Sequence, residues 1–144
     1  MIYLKIDKFM SKPAVTLLPT NTIKDAVNLM KEKKIGSIIV VDNDRMPINI
    51  ITTKDILNLI ETDFHIDASQ KLSEIPHKKN LITIFNTDSY DDALALITAN
   101  YIHHLIVIDN SGVVVGILST RDLMEAQKTL NRFFPYFPNS QLTH

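Results

Sequence analysis

The sequence predicts an α/β (α+β) fold made of two β-α-β-β-α repeats packed sheet to sheet about a pseudo-twofold axis. Three observations lead there. Sliding the chain by 67 positions lays residues 15–55 on 82–122 without a gap, matching Thr16 to Thr83, Asp25 to Asp92, Ala26 to Ala93, Asp42 to Asp109 and Asp55 to Asp122. Within each half, stretches of helical apolar spacing alternate with β-branched runs too short for helices. Those runs are nearly all Ile, Val and Leu, which want burial on both faces, and a unit of about 60 residues cannot supply that alone.

The elements follow in order. Residues 15–18 form a short strand ended by Pro19, and Thr22 caps a helix whose apolar face is Ile23, Ala26, Val27, Leu29 and Met30, with Gly36 as its stop. Residues 37–41 and 48–51 are strands flanking a turn over 42–45, so they predict a hairpin, and Thr52 or Thr53 then opens a second helix. The second half repeats this with a strand over 81–85, a helix over 89–99, strands over 105–108 and 113–118, and a helix from Thr120 to about Leu130. A strand joined through a helix to the next strand implies a parallel, right-handed crossover. The predicted division is repeat 1 over 1–66, repeat 2 over 67–130 and an aromatic tail over 131–144, with a polar linker at 63–79 that holds a helical turn at 72–75.

Composition narrows the function. With 15 Lys and Arg against 16 Asp and Glu, the chain carries no net charge that would draw it to nucleic acid. It has no cysteine, which excludes thiolate zinc sites, cysteine nucleophiles and disulfides. Lys5, Asp7 and Lys8 interrupt the start where a signal peptide needs an apolar run, and no stretch is long and apolar enough to span a membrane, so a cytoplasmic location is expected. With only three glycines there is no phosphate-cradling glycine loop, and no His-carboxylate arrangement suggests catalysis, so no enzyme is expected.

The chemically informative pattern closes each hairpin: Ile50-Ile51-Thr52-Thr53-Lys54-Asp55 and Ile117-Leu118-Ser119-Thr120-Arg121-Asp122. A hydroxyl followed three residues later by a carboxylate is by default a helix N-cap. The capping role leaves unexplained the cation between them, Lys54 or Arg121, beside a helix start that attracts anions. Hydroxyl, cation and a carboxylate able to accept both hydrogens of a ribose cis-diol together suit a nucleotide.

In both halves, from about Lys5 to Gln127, this order of elements, ending in Gly116-Ile117-Leu118-Ser119-x-x-Asp122, resembles the cystathionine β-synthase (CBS) domain, which usually occurs as a tandem pair. The resemblance implies a stand-alone regulatory module and energy or metabolite sensor that binds an adenosine-containing ligand of the AMP, ADP or ATP class in clefts between the repeats. The adenine nucleotide is then a regulatory ligand, and no cofactor is expected. The resemblance puts Asp55 and Asp122 on the ribose and Thr52 and Ser119 by the ribose or phosphate. Adenine would lie against Val15, Thr16 and Ile35 in one half and Ile82, Thr83 and Ile102 in the other. His103 and His104 fall where some members contact phosphate, and Asn49 replaces the family glycine found at Gly116. Adjacent strand residues point to opposite faces, so these histidines do not suggest a metal. The rival readings are an interaction module with empty sites and a sensor of an S-adenosylmethionine-type ligand.

Two surface features complete the reading. The mostly basic run over 31–34 complements a helix C-terminus. Phe133, Phe134, Tyr136 and Phe137, beside Pro135 and Pro138, are too apolar to be simply solvated, so they should pack on the module or on a second chain. The family's packing of outer helices predicts a homodimer with an unnamed regulated protein partner.

Overall fold

The computed structural model describes residues 4–62, 65–78 and 80–133. Strands β1 (Thr16–Leu17), β2 (Ser37–Val41) and β3 (Pro47–Thr52) form one sheet in that order, with helices α1 (Ile23–Lys33) and α2 (Thr53–Thr62). Strands β4 (Thr83–Phe85), β5 (His104–Ile108) and β6 (Val114–Ser119) form a second sheet in the same order, with helices α3 (Tyr90–Asn100) and α4 (Thr120–Phe133). β1 runs parallel to β2 and β4 to β5, as the crossover argument requires, and β2 and β3 form the expected antiparallel hairpin. Both repeats are therefore β-α-β-β-α. Among the described residues no helix is long and apolar enough to cross a membrane.

The duplication extends to the helix ends. α1 and α3 open on matching capping boxes: Thr22 Oγ1 accepts the Asp25 N–H while Asp25 accepts the Thr22 N–H, and Ser89 and Asp92 do the same. The Thr22 N–H and the Asn21 amide hold the Asp25 carboxyl below its ordinary range. The expected stop at Gly36 is corrected. α1 ends with Lys34 in the left-handed region at φ 54°, and α3 ends with Tyr101 at φ 52°. Their N–H groups close on the Met30 and Ile97 carbonyls, which outweighs the steric cost of a non-glycine residue there. β1 is shorter than its apolar run because the Leu18 N–H turns to the Asn21 side chain, while β4 ends at Phe85 as expected, its N–H turned to Asp88, and begins at Thr83 instead of Leu81.

Each sheet has its own core, and each core takes in a residue from outside the repeat's contiguous stretch. Ile23, Ala26, Met30, Ile38, Val40 and Ile51 are buried together with Leu72 and Ile75. Ile84, Tyr90, Ala93, Leu105, Val107, Leu118 and Leu123 are buried together with Ile6. β2 is buried along its whole length, as a strand with four aliphatic residues after Ser37 should be. The compact units follow these cores: one holds residues 4–13, 82–111 and 115–133, and the other holds 14–81 with 112–114.

The short segments carrying Ile6 and Leu72 act as straps. Each forms a single 3-10 turn, Ile6–Lys8 or Leu72–Glu74, and each lies across the start of a helix. The Leu4 carbonyl accepts the Tyr90 N–H at 2.8 Å, and the Gln70 carbonyl accepts the Ile23 N–H at 3.0 Å. In return Ile6 donates to Asp88 and Leu72 donates to Asn21. Helix starts that would otherwise leave N–H groups unpaired are thus satisfied by backbone from the straps. Phe9 adds a ring contact to Tyr90 at 5.9 Å, and the Tyr90 hydroxyl donates to Gln127 inside the core. Burial and the nearby Asp91 charge push that phenol up to about 12.

Ile6 has no exposed surface, so Ile6→Ala should cost about 2–5 kcal/mol of stability. Urea unfolding followed by circular dichroism measures it; a loss under about 0.5 kcal/mol, the usual range of a surface change, would show that the strap adds nothing to this core.

Candidate functional site

Strand register gathers the predicted site residues at one end of each sheet. Because β1 and β2 run parallel and β3 returns, the beginnings of β1 and β2 lie beside the end of β3. The Ile39 N–H donates to the Val15 carbonyl, Ser37 pairs with Thr52, and the Thr53 N–H donates to the Gly36 carbonyl. Val15, Thr16 and Ile35 are half-buried there. In the second sheet the Ile106 N–H donates to Ile82 and the Thr120 N–H to His103, which brings Ile82, Thr83 and Ile102 to the start of α4. His103 is exposed and His104 opens β5.

At the helix starts the expected caps are present. Thr52 Oγ1 accepts the Asp55 N–H at 3.2 Å, and Asp55 Oδ2 accepts the Thr52 N–H at 2.8 Å. Ser119 Oγ accepts the Asp122 N–H at 3.1 Å, and Asp122 Oδ2 accepts the Ser119 N–H at 2.9 Å. Lys54 and Arg121 stand exposed on the first turns of α2 and α4. The capping role is therefore real in both repeats, and both cations remain at the surface beside it.

Sequence reasoning missed what else the two carboxylates hold. Lys78 Nζ lies 2.7 Å from Asp55 Oδ2 and also donates to the Ile50 carbonyl. Burial pushes the Asp55 carboxyl up, but the Lys78 ammonium and the Thr52 N–H outweigh it and hold the group below its ordinary value of 3.8. On Asp122 the corresponding partner is a neutral hydroxyl: Ser11 Oγ lies 3.1 and 3.3 Å from the two carboxylate oxygens. Ser11 and Lys78 are 67 positions apart, so the repeat register extended upstream would have paired them. A cavity of about 210 Å³ adjoins Asp55 and Lys78, with Asn49, Asn58, Leu59 and Pro76 among its walls.

The glycine difference between the repeats also has a local cause. A Cβ on Gly116 would meet Met10 Sδ at 2.6 Å and the Ser11 carbonyl at 3.0 Å, so the missing side chain leaves room for the strap. Ser11 and Ile117 then exchange backbone hydrogen bonds of 2.9 and 3.0 Å. Asn49, at the matching position, is only 2% exposed, and its side-chain oxygen accepts the Ile50 and Lys78 N–H groups. The amide side chain takes the place of one backbone pairing. Phe133 is exposed at the end of α4, while Phe134, Pro135, Tyr136, Phe137 and Pro138 lie outside the described residues.

The fold and these two sheet ends define a tandem pair of like domains. The CBS domain model matches residues 6–62 and 72–129, and the chain belongs to that family. Inosine-5'-monophosphate dehydrogenase of Aquifex aeolicus is 32% identical over 117 residues, covering 81% of this chain but only 23% of the enzyme. A 17.7 kDa protein of Acidianus ambivalens is 29% identical over 126 residues, covering 85% of this chain and 72% of that one. Among solved structures, a Vibrio cholerae protein assigned to acetoin utilization (AcuB) superposes with a TM-score of 0.83 at 22% identity, over 92% of this chain and 98% of that one. A CBS domain protein of Pyrobaculum aerophilum, complexed with AMP, superposes with a TM-score of 0.75 at 22% identity, over 88% and 99%. A CBS pair complexed with 5'-methylthioadenosine and S-adenosyl-L-methionine does so at 0.77 and 22%, over 89% and 98%.

The lowered carboxyl of Asp55 makes a stability prediction with a definite sign. The folded value lies below the ordinary 3.8, so the stabilisation is fully present above that ordinary value and disappears as pH falls through the lowered one. The stability gap between the wild type and Asp55→Asn should therefore be constant near neutrality and shrink below about pH 4. Urea midpoints measured from pH 7 to pH 3 test it, and a gap that widened on acidification would reverse the assignment.

Proposed function

We propose that the chain is a cytoplasmic sensor module that binds an adenosine-containing ligand of the AMP, ADP or ATP class, chiefly at Ser119 and Asp122, and acts by regulation and not by catalysis. The observation that carries this reading is the contrast between the carboxylates. Among the described residues Asp122 has hydroxyl and backbone partners only, which a ribose cis-diol can exchange for its own hydrogens at little cost, whereas Asp55 is tied to an ammonium. Exposed Arg121 stands one residue away and the His103 carbonyl accepts the Thr120 N–H, so both residues flank the start of α4, an end suited to a phosphate. The complexes of AMP and of S-adenosyl-L-methionine with proteins of this fold support an adenosine ligand and keep a sulfonium ligand as the alternative.

Asp122→Ala should weaken AMP binding about tenfold or more, while Asp55→Ala should change it little. Isothermal titration calorimetry distinguishes the sites: unchanged affinity in Asp122→Ala would remove that carboxylate from the ligand. If AMP, ATP and S-adenosylmethionine all leave the melting temperature unmoved, the module is one of protein interaction only.

Assembly as a homodimer is part of the same proposal. Leu57 and Met124 occupy matching positions on α2 and α4, and both are exposed, at 65% and 60%. Apolar side chains repeated at the same register of two helices suit a symmetric, self-complementary interface. Light scattering should give a mass about twice the 16.4 kDa of one chain; a mass of one chain at micromolar concentration would contradict it.

A further inference from the structure

The two sheet ends are built alike except for the group that the strap delivers to the carboxylate. In one it is the Ser11 hydroxyl; in the other it is the Lys78 ammonium, on a residue held by three contacts, two through Nζ and one through its main-chain N–H. Its Nζ bridges Asp55 and the Ile50 carbonyl, and its main-chain N–H is fixed by the buried Asn49 side chain. Asp55 Oδ2 already accepts from the Thr52 N–H and hydroxyl, so the ammonium adds a third donor to that one oxygen. A cis-diol approaching Asp55 must therefore compete with a charged donor fixed within the same unit.

From this juxtaposition we infer that Lys78 is a built-in competitor that closes the first carboxylate to sugar hydroxyls, so that the chain takes one adenosine-type ligand and not two. The inference rests on the proposed ligand class and deepens it by assigning the stoichiometry to a single residue. Both contacts are charge-assisted by the carboxylate, but Lys78 also brings a positive charge to Asp55 that the neutral Ser11 hydroxyl does not bring to Asp122, so displacing Lys78 costs a diol more than displacing Ser11. Both members of the pair are partly exposed, at 38% and 27%, which leaves the contact able to open. The adjoining cavity of about 210 Å³ gives the lysine stem somewhere to go when it does. Asn49 fixes only the backbone of the strap, so exchanging the lysine side chain leaves that anchor in place.

Lys78→Ser copies the second sheet end into the first and is the informative variant; Lys78→Met, which keeps the stem without the charge, covers the case in which the serine variant folds poorly. Calorimetry with adenosine, which has the diol but no phosphate, should give one site per chain in the wild type and two in either variant. The new site should gain about tenfold or more over the wild-type Asp55 position and be abolished by adding Asp55→Ala. Two sites in the wild type, or one site retained in both variants, would overturn the inference while leaving the ligand class standing. No binding of adenosine, AMP or S-adenosylmethionine to any of the three proteins would overturn the ligand class and the inference with it. A carbon-detected carboxyl titration of the ligand-free proteins checks the contact independently. Asp55 should titrate lower in the wild type than in Lys78→Ser, and identical titrations would show that the ammonium does not hold the carboxylate.

Discussion

The first N–H groups of a helix have no partners within that helix, and in α1 and α3 this requirement organises much of the fold. Thr22 and Ser89 satisfy part of it with their capping boxes, and the carbonyls of Gln70 and Leu4 satisfy more. To deliver those carbonyls the straps must run across the helix starts, which places Leu72 and Ile6 in the apolar space between helix and sheet. Once seated, the straps continue to the ends of β3 and β6, where Lys78 and Ser11 meet the carboxylates. Backbone hydrogen bonding at one end of each unit thus decides which side chain arrives at the other.

Elements whose formation is local were legible in the sequence. β2 and β5 are legible because a run of four aliphatic residues, most of them β-branched, is too short for a helix, and the caps at Thr22, Thr52 and Ser119 because a hydroxyl and a carboxylate three residues apart form the capping pattern. The helix ends were less legible. A left-handed residue is usually announced by glycine, and here Lys34 and Tyr101 hold that conformation without any such signal, while Gly36 has ample room for a side chain. The strand end at Leu18 depends on whether one N–H chooses a ladder carbonyl or the nearby Asn21 side chain.

The candidate site shows the same division. Thr52, Asp55, Ser119 and Asp122 were readable because their geometry lies within one turn of helix. Asn49 was visible only as a departure from glycine, and the meaning of that departure lies in its hydrogen bond to Lys78, 29 positions away. Ser11 and Asp122 are separated by 111 positions, a pairing no local pattern can encode. The repeat itself held the missing clue, since comparing the segment before each first strand would have set a serine against a lysine at the place where the two halves differ in charge.

The straps also bear on how the protein acquires its structure during synthesis. The unit that takes Leu72 is nearly continuous along the chain, so most of its contacts become possible soon after its last strand and helix are made. The other unit must retrieve Ile6 after residues 84–130 have appeared, and until then Ile6, Phe9 and Met10 remain without their core. The duplicated halves are therefore equal in architecture but unequal in order of assembly. Joining residues 4–13 after residue 133 instead would make both closures equally local, turning a temporal asymmetry into a symmetric one without altering either core.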